Sequence, residues 1–200
     1  MPRSRAFEPE QALAQAMVVF RQYGFEASSM DKLLRAMGIG KGSFYKTFGD
    51  KRTAYVEALK LYGSTELAAT WSHLADPVHG DGADRVRDVL ERATAAAAHA
   101  DDKHGCFLCN AMIDQAPVDA DVRALSQTLS EHLHSGFTLA IRDASGARTW
   151  SDIIVGRVAE SFVSTYIGLW TLVRAGQDGG MIQRIIETKM MMTGIKIVYE

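Results

Sequence analysis

The sequence predicts an all-α fold of about nine helices, and three observations carry that expectation. Apolar residues recur at helical spacing, from Ala12, Leu13, Ala16, Met17 and Phe20 near the start to Met181, Ile182, Ile185 and Ile186 near the end. No stretch alternates apolar and polar residues over a useful strand length. The helical segments are separated by glycine, proline and capping residues, as at Gly24, Gly38, Asp50, Asp76-Pro77, Gly80-Asp81-Gly82, Ala116-Pro117 and Ser145-Gly146. No internal repeat is evident.

The first helix is expected over Phe7 to Tyr23. Gly24 ends it, and Phe25 packs back to close a three-helix unit. Ser28 with Asp31 three residues on has the spacing of a capping box, which starts a short helix. Met30, Leu33, Leu34 and Met37 share one face of it, and Gly38 can close it in the left-handed conformation. A further helix starting near Gly40 or Lys41 turns Phe44 and Phe48 inward. It spreads Lys41, Ser43, Tyr45, Lys46 and Thr47 over the outside. Helix, tight turn, and a short cationic, hydroxyl-rich second helix is the pattern that insertion into a DNA major groove requires. Asp50 then caps a long helix to about Ala75. Later helices are expected over Asp84 to Ala100, Cys106 to Gln115, Asp119 or Asp121 to Ala144, Ser151 to Ala175 and Gly180 to Val198.

Composition fits two functional parts. The chain has 200 residues, 47% hydrophobic, with four prolines and a net charge of −2. It can therefore bury a sizeable core. Ten Lys/Arg stand against six Asp/Glu up to Tyr62, and twelve against eighteen beyond it. A basic head on an acidic body suits a DNA-binding domain over residues 1–50 and an effector-binding and dimerisation domain over 51–200. Arg3 and Arg5 precede no apolar run of the kind a signal peptide carries, and no segment has the roughly 18 apolar residues that span a bilayer. No membrane association is expected, and the place of action is the cytoplasm, with Cys106 and Cys109 reduced.

Residues Phe20 to Lys51, with GFEASSMDKLLRAMGIGKGSFYKTFGDK, resemble the N-terminal domain of the TetR family of bacterial transcriptional repressors. The pattern of the match (glycine-aromatic, serine pair, turn, then Lys41-Gly42-Ser43-Phe44-Tyr45) is specific. The resemblance implies a double-stranded DNA operator as partner. It puts Lys41, Tyr45 and Lys51 on phosphate. Ser28 and Ser29 open the supporting helix, a place that favours phosphate, and Gly42, Ser43, Lys46 and Thr47 are candidates for base edges. One position departs from the family: where a serine commonly caps the recognition helix, this chain has Gly40, which supplies no side-chain oxygen.

The helix from Ile153 to Val173 is apolar on two sides, with Ile154, Val158, Phe162 and Tyr166 on one line and Val155, Ala159, Val163 and Ile167 on the next. One side can face the interior. The other, with Met181, Ile182, Ile185, Ile186, Met192 and Ile195, needs a partner chain. A homodimer built on four helices is the consequence, as the resemblance also implies, and it pairs two recognition helices with a palindrome. Val163 and Ile186 are expected at that interface.

Within the body, His104-Gly105-Cys106-Phe107-Leu108-Cys109 supports several readings. Cys-x-x-Cys as a thioredoxin motif needs a βαβ setting that the chain lacks. A metal- or redox-responsive site could draw on His104, Cys106 and Cys109, with His99, His132 or His134, although the spacing is irregular. Two buried thiols packed as small hydrophobes is the third reading, and it is the one taken for Cys109. Cys106 differs, because the first turn of a helix and a neighbouring His104 both favour thiolate. The segment GCFLCNAMIDQAP also resembles TetR members that sense reactive electrophiles or acrylate-like acids, the N-ethylmaleimide reductase repressor among them. In that subgroup a cysteine directly after this glycine is the sensor, which maps to Cys106 alone. A small-molecule effector is therefore expected among Trp71, Cys106, Met112, Phe137, Phe162, Tyr166 and Trp170. No enzyme, cofactor or bound metal is expected. Gly38-Ile39-Gly40-Lys41-Gly42-Ser43 lacks the spacing of either nucleotide-binding loop, and no nucleophile, base and orienting group assemble from the sequence. A constitutive DNA-binding protein is the rival reading, but it has no use for an acidic body.

Overall fold

A computed structural model describes residues 7–99 and 104–194 of the chain. Helix α1 spans Pro9–Ala27, α2 Met30–Met37 and α3 Lys41–Phe48. Helix α4 (Lys51–Tyr62) passes through a π-helical turn (Gly63–Leu67) into α5 (Ala68–Ala75), so these form one rod. Then come α6 (Gly82–Ala98), α7 (Phe107–Asp114), α8 (Ala120–Asp143), α9 (Asp152–Arg174) and α10 (Gly179–Thr193). With α4 and α5 counted as one, the described residues hold nine helices and no strand. The expected helix ends at Ala100 and Val198, and the expected interface residue Ile195, lie outside the described residues.

Local chemistry explains most boundaries. Pro9 starts α1, where its missing N–H costs nothing. Gly24 interrupts that helix at φ 75°, and Phe25 beyond it stacks on Phe20 and meets Tyr55 edge-on at 5.3 Å. Asp50 caps α4 by accepting from the Thr53 N–H at 2.7 Å, and Asp119, Ser151 and Asp178 cap α8, α9 and α10 in the same way. Two of the starts that differ from expectation have a side-chain cause. The cap of α2 is Ser29, which accepts from the Lys32 N–H, because the Ser28 hydroxyl turns inward to the Gly24 carbonyl. Helix α6 begins at Gly82 rather than Asp84, because Asp81 accepts from the Ala83 N–H.

Helix α8 is the axis of the body, packed by α5, α6 and α9, while α10 lies mainly along α6. Helices α1, α4 and α7 pack together, so the buried residues of the first three helices and of the body form one continuous core.

The outer face of α9 and α10 corrects the expected interface. Val163, Ile182 and Ile186 are buried within the chain, as are Val155 and Ala159. Tertiary packing of α9 on α8 and of α10 on α6 covers them, which helical spacing alone could not decide. What remains uncovered is a stripe on α9 at alternating steps of four and three: Ile154, Val158, Ser161, Thr165, Gly168 and Leu172. Met181, Ile185, Thr188 and Met192 continue it on α10, with Ile154 46% and Met192 79% exposed. This is the spacing with which two helices interlock side by side.

Candidate DNA-reading surface and buried thiol

The first three helices pose α3 as a reading element. Leu33 and Met37 of α2 and Phe44 and Phe48 of α3 are buried, and the Phe44 and Phe48 rings sit 5.5 Å apart. Gly38 makes the turn between them at φ 66°, a left-handed conformation that a side chain resists. With the phenylalanines anchored inside, Lys41, Gly42, Ser43, Tyr45, Lys46 and Thr47 are all exposed. The Tyr45 ring leans edge-on against Phe44 at 5.6 Å, which fixes its direction. Gly40 caps α3 without a side-chain bond, as the sequence implies.

The flanking cations are held as well. The Lys51 ammonium lies 4.4 Å over the Phe25 ring and donates to the Glu26 carbonyl at 3.4 Å. The Lys32 ammonium lies 4.1 Å over the Tyr23 ring. Ser29 is exposed at the start of α2, where backbone N–H groups favour an anion. Ser28 is not available there. It is fully buried, its hydroxyl donating to the Gly24 carbonyl at 2.5 Å, so it fastens the turn.

Hydrogen bonds at Arg21 and Arg52 fasten α1 and α4 to the body. The Arg21 Nε–H donates to the Gly105 carbonyl at 2.6 Å. The Arg21 carbonyl in turn accepts from Asn110 Nδ2 at 3.1 Å and from Arg174 Nη1 at 3.0 Å. Arg52, one residue into α4, forks onto Asp119 at 2.6 and 2.8 Å and reaches Asp121 at 2.5 Å. The 104–110 segment is therefore joined to α1 through Arg21.

Cys106 sits at the end of that joint. It is the N-cap of α7 and is fully buried, with Cys109 one turn on and also buried. The Tyr62 hydroxyl donates to its sulfur at 3.2 Å, and the Tyr166 hydroxyl lies at 3.9 Å. Burial pushes the Cys106 thiol up. Hydrogen bonds from the Cys109 side chain, Tyr62, the Cys109 N–H and Tyr166 outweigh it and hold the thiol down at about 7. Cys109 moves the opposite way, raised by its bond to Cys106 and by burial. Burial, then the Cys106 charge, likewise raise both tyrosines, which keeps them donors. The expected source was different: His104 is not among the groups acting on this sulfur, and its carbonyl serves Asn110 at 2.9 Å. Among the described residues no three His, Cys, Asp or Glu side chains gather as a metal-ligand set.

Of the expected effector residues, Phe162, Phe137, Tyr166 and Trp170 form a file of rings with centroids 5.9, 6.4 and 6.1 Å apart. Cys106 lies behind Tyr166. Trp71 is elsewhere, its indole donating to Ser135 at 2.9 Å and its ring tilted on His132, and Met112 packs half-buried on α7. A cleft of about 360 Å³ opens beside the file, lined by Arg21, Tyr62, Glu66, Ala69, Thr70, Arg92, Tyr166 and Trp170. Reasoning from the sequence missed Arg21, Tyr62 and Arg92. Tyr62 comes two helical turns after Tyr55 and reads as ordinary core, and no local pattern ties an arginine of α1 to one of α6.

Comparison with known proteins agrees with this architecture. Residues 12–57 match the sequence model described as bacterial regulatory proteins, tetR family. An uncharacterized HTH-type transcriptional regulator of Bacillus subtilis (strain 168), YezE, is 25% identical over 192 residues, covering 95% of this chain and 98% of that protein. The HTH-type transcriptional repressor BdcR of Escherichia coli (strain K12) is 30% identical over 122 residues, 60% of each chain. In fold, the chain resembles the TetR family transcriptional regulator CifR, solved as a cysteine mutant with 26-bp double-strand operator DNA. The TM-score is 0.81 at 23% identity, over 94% of this chain and 98% of that one. The first helices thus match the tetR family model in sequence, and the chain as a whole shares the fold of a solved TetR-family regulator.

Proposed function

We propose that the protein is a homodimeric repressor that holds a palindromic duplex operator through its two α3 helices and releases it when a small reactive electrophile modifies Cys106. Residues 1–50 read the DNA, 51–200 sense the effector and pair the subunits, and the setting is the reducing cytoplasm. The observation that carries the reading is the exposed face of α3, with Lys41, Ser43, Tyr45, Lys46 and Thr47 displayed on buried Phe44 and Phe48. Lys41, Tyr45, Lys51 and Ser29 take phosphates, and Gly42, Ser43, Lys46 and Thr47 face base edges. BdcR is named a repressor, and CifR was solved on its operator, which supports the same role here. With about eight phosphates neutralised by the dimer, log K should fall with log salt at a slope near −7. Tyr45→Phe and Lys51→Ala should weaken all duplexes alike, while Lys46→Ala should change which ones are preferred. A slope near zero in a salt titration of operator binding rules the reading out.

Sensing rests on the thiol's surroundings. The Cys106 thiolate adds to the β-carbon of an activated alkene, a C–S bond forms, and the π pair is taken up as a proton reaches the α-carbon. The adduct needs volume where Tyr62 and Tyr166 already touch the sulfur, and interiors resist added atoms by about 1–3 kcal/mol. Relief moves the Gly105 carbonyl, and with it Arg21 and the head. N-ethylmaleimide should therefore release operator from the wild type and not from Cys106→Ser, while Cys109→Ser still responds. Labelling of Cys106 followed by mass spectrometry should rise with pH and level off above about 7. Equal labelling of both thiols, with full release from Cys106→Ser, would sink the covalent mechanism.

A further inference from the structure

The cleft beside the aromatic file has a chemistry of its own. Two arginines line it, Arg21 and Arg92, against a single carboxylate, Glu66. Glu66 pairs with Arg21 at 3.4 Å, whereas Arg92 donates to the uncharged Thr70 hydroxyl at 3.2 Å. The cleft therefore keeps one positive charge in excess among its described lining residues. Trp170 on its wall is nine-tenths buried, and its indole N–H has no hydrogen-bond partner. Buried donors are almost always satisfied, so a lone one beside a cationic cleft marks a place for an acceptor. The rings of Tyr62, Tyr166 and Trp170 supply flat apolar walls, and Ala69 leaves room between them.

We infer that this cleft is a non-covalent site for a small, planar organic anion, whose carboxylate is held by Arg92 and the Trp170 indole while its flat body lies among Tyr62, Tyr166 and Trp170. A neutral isostere lacks the charge for Arg92, and an inorganic anion lacks the apolar body for the rings. Arg92 is close enough to act on its neighbours: after burial, its charge is the next influence that depresses His73. The site builds on the effector reading above and names the ligand class. Because Tyr62 and Tyr166 also grip Cys106, and Arg21 also holds Gly105, an anion seated here touches both ends of the joint to the head.

Benzoate is a suitable probe, with benzamide as neutral isostere and inorganic phosphate as simple anion. Calorimetry on the full-length protein without DNA should show one benzoate per chain, bound at least about tenfold more tightly than benzamide, and no saturable heat from phosphate. Arg92→Gln, which keeps a donor for Thr70, should weaken benzoate at least about tenfold, and Trp170→Phe by about fivefold. Operator affinity of Arg92→Gln without benzoate should match the wild type, because Arg92 lies far along the chain from the reading helices and is exposed. Benzamide binding as well as benzoate, phosphate binding as well as benzoate, or an Arg92→Gln chain unaffected would each overturn the site. The measurement excludes DNA, so its outcome is independent of the operator reading. Saturable benzoate binding that leaves operator affinity unchanged would confirm the site and remove only its coupling to the head.

Discussion

Glutamate in place of Ile185 or Val158 is expected to split the dimer and lower operator affinity by about 10²–10⁴-fold, the advantage that two linked half-site contacts hold over one. Both residues are half-buried in the uncovered stripe of α9 and α10, beside a groove of about 390 Å³ that Thr165, Met181, Ile185 and Met192 help to line. In the separate subunit a carboxylate at either place can reach water, so the fold survives. Across a paired stripe the same group is buried without a partner, at a cost of several kcal/mol. A Cβ placed on Gly156 or Gly168 would meet nothing within 4 Å, which leaves room for a second α9 to approach closely. Light scattering should report half the wild-type mass for both variants at micromolar concentration, with unchanged helical circular dichroism. A wild type that is already monomeric, or variants that stay dimeric with full operator affinity, would remove the argument. The two substitutions suggested by helical spacing alone, Val163→Glu and Ile186→Glu, test something else. Those side chains lie inside the subunit, so charge there unfolds the chain before it reports on pairing.

The largest effect on stability is expected from the smallest change, Gly82→Ala. Gly82 begins α6 where that helix crosses the end of α8. A methyl group there would run into the Ala140 carbonyl oxygen and stand 2.7 Å from the Ala144 nitrogen. Both obstacles are backbone, which cannot rotate aside as a side chain can. Nor can the start of α6 drift, because Asp81 accepts from the Ser145 N–H at 2.9 Å and from its hydroxyl. Separating α6 from α8 opens the core of the body, at about 3 kcal/mol or more. For a chain of this size that is a fall in Tm of about 6–12 °C, readable in a thermal melt. Gly42→Ala, where a Cβ would meet nothing within 4 Å, should leave Tm unchanged and serves as the control. Equal melting of Gly82→Ala and wild type would contradict the contact between the two helices.

Much of this protein was legible in one dimension because its signals are local. Helical spacing, capping acids and the glycine turn each depend on neighbours within about four residues, so the helices and the break at Gly38 could be read directly. The same holds for α3: once Phe44 and Phe48 are assigned to the inside, a period of 3.6 residues sends Lys41, Ser43, Tyr45, Lys46 and Thr47 outward. Two adjacent serines were the exception. Either could cap α2, and only the approach of the Gly24 carbonyl made Ser28 an internal fastener and Ser29 the cap.

Long-range matters stayed hidden for the converse reason. A helix that is apolar on two sides announces that both are covered, but not by what. Packing of α9 on α8 and of α10 on α6 decided that Val163 and Ile186 belong to the subunit's own core, and it left the stripe from Ile154 to Leu172 uncovered. The acidity of Cys106 is of the same kind. Position at a helix start and a neighbouring histidine were visible along the chain, yet the groups acting on the sulfur come from 44 and 60 residues away, Tyr62 and Tyr166, besides Cys109. The cleft that sets Arg92 beside Trp170 likewise exists only where α6 and α9 meet. By itself the sequence determined the helices and the exposed face of α3, whose causes lie within a few turns of one helix. Tertiary structure decided which apolar stripe stays uncovered, the thiol's partners and the cleft beside Trp170, because each joins side chains whose only relation is their packing in space.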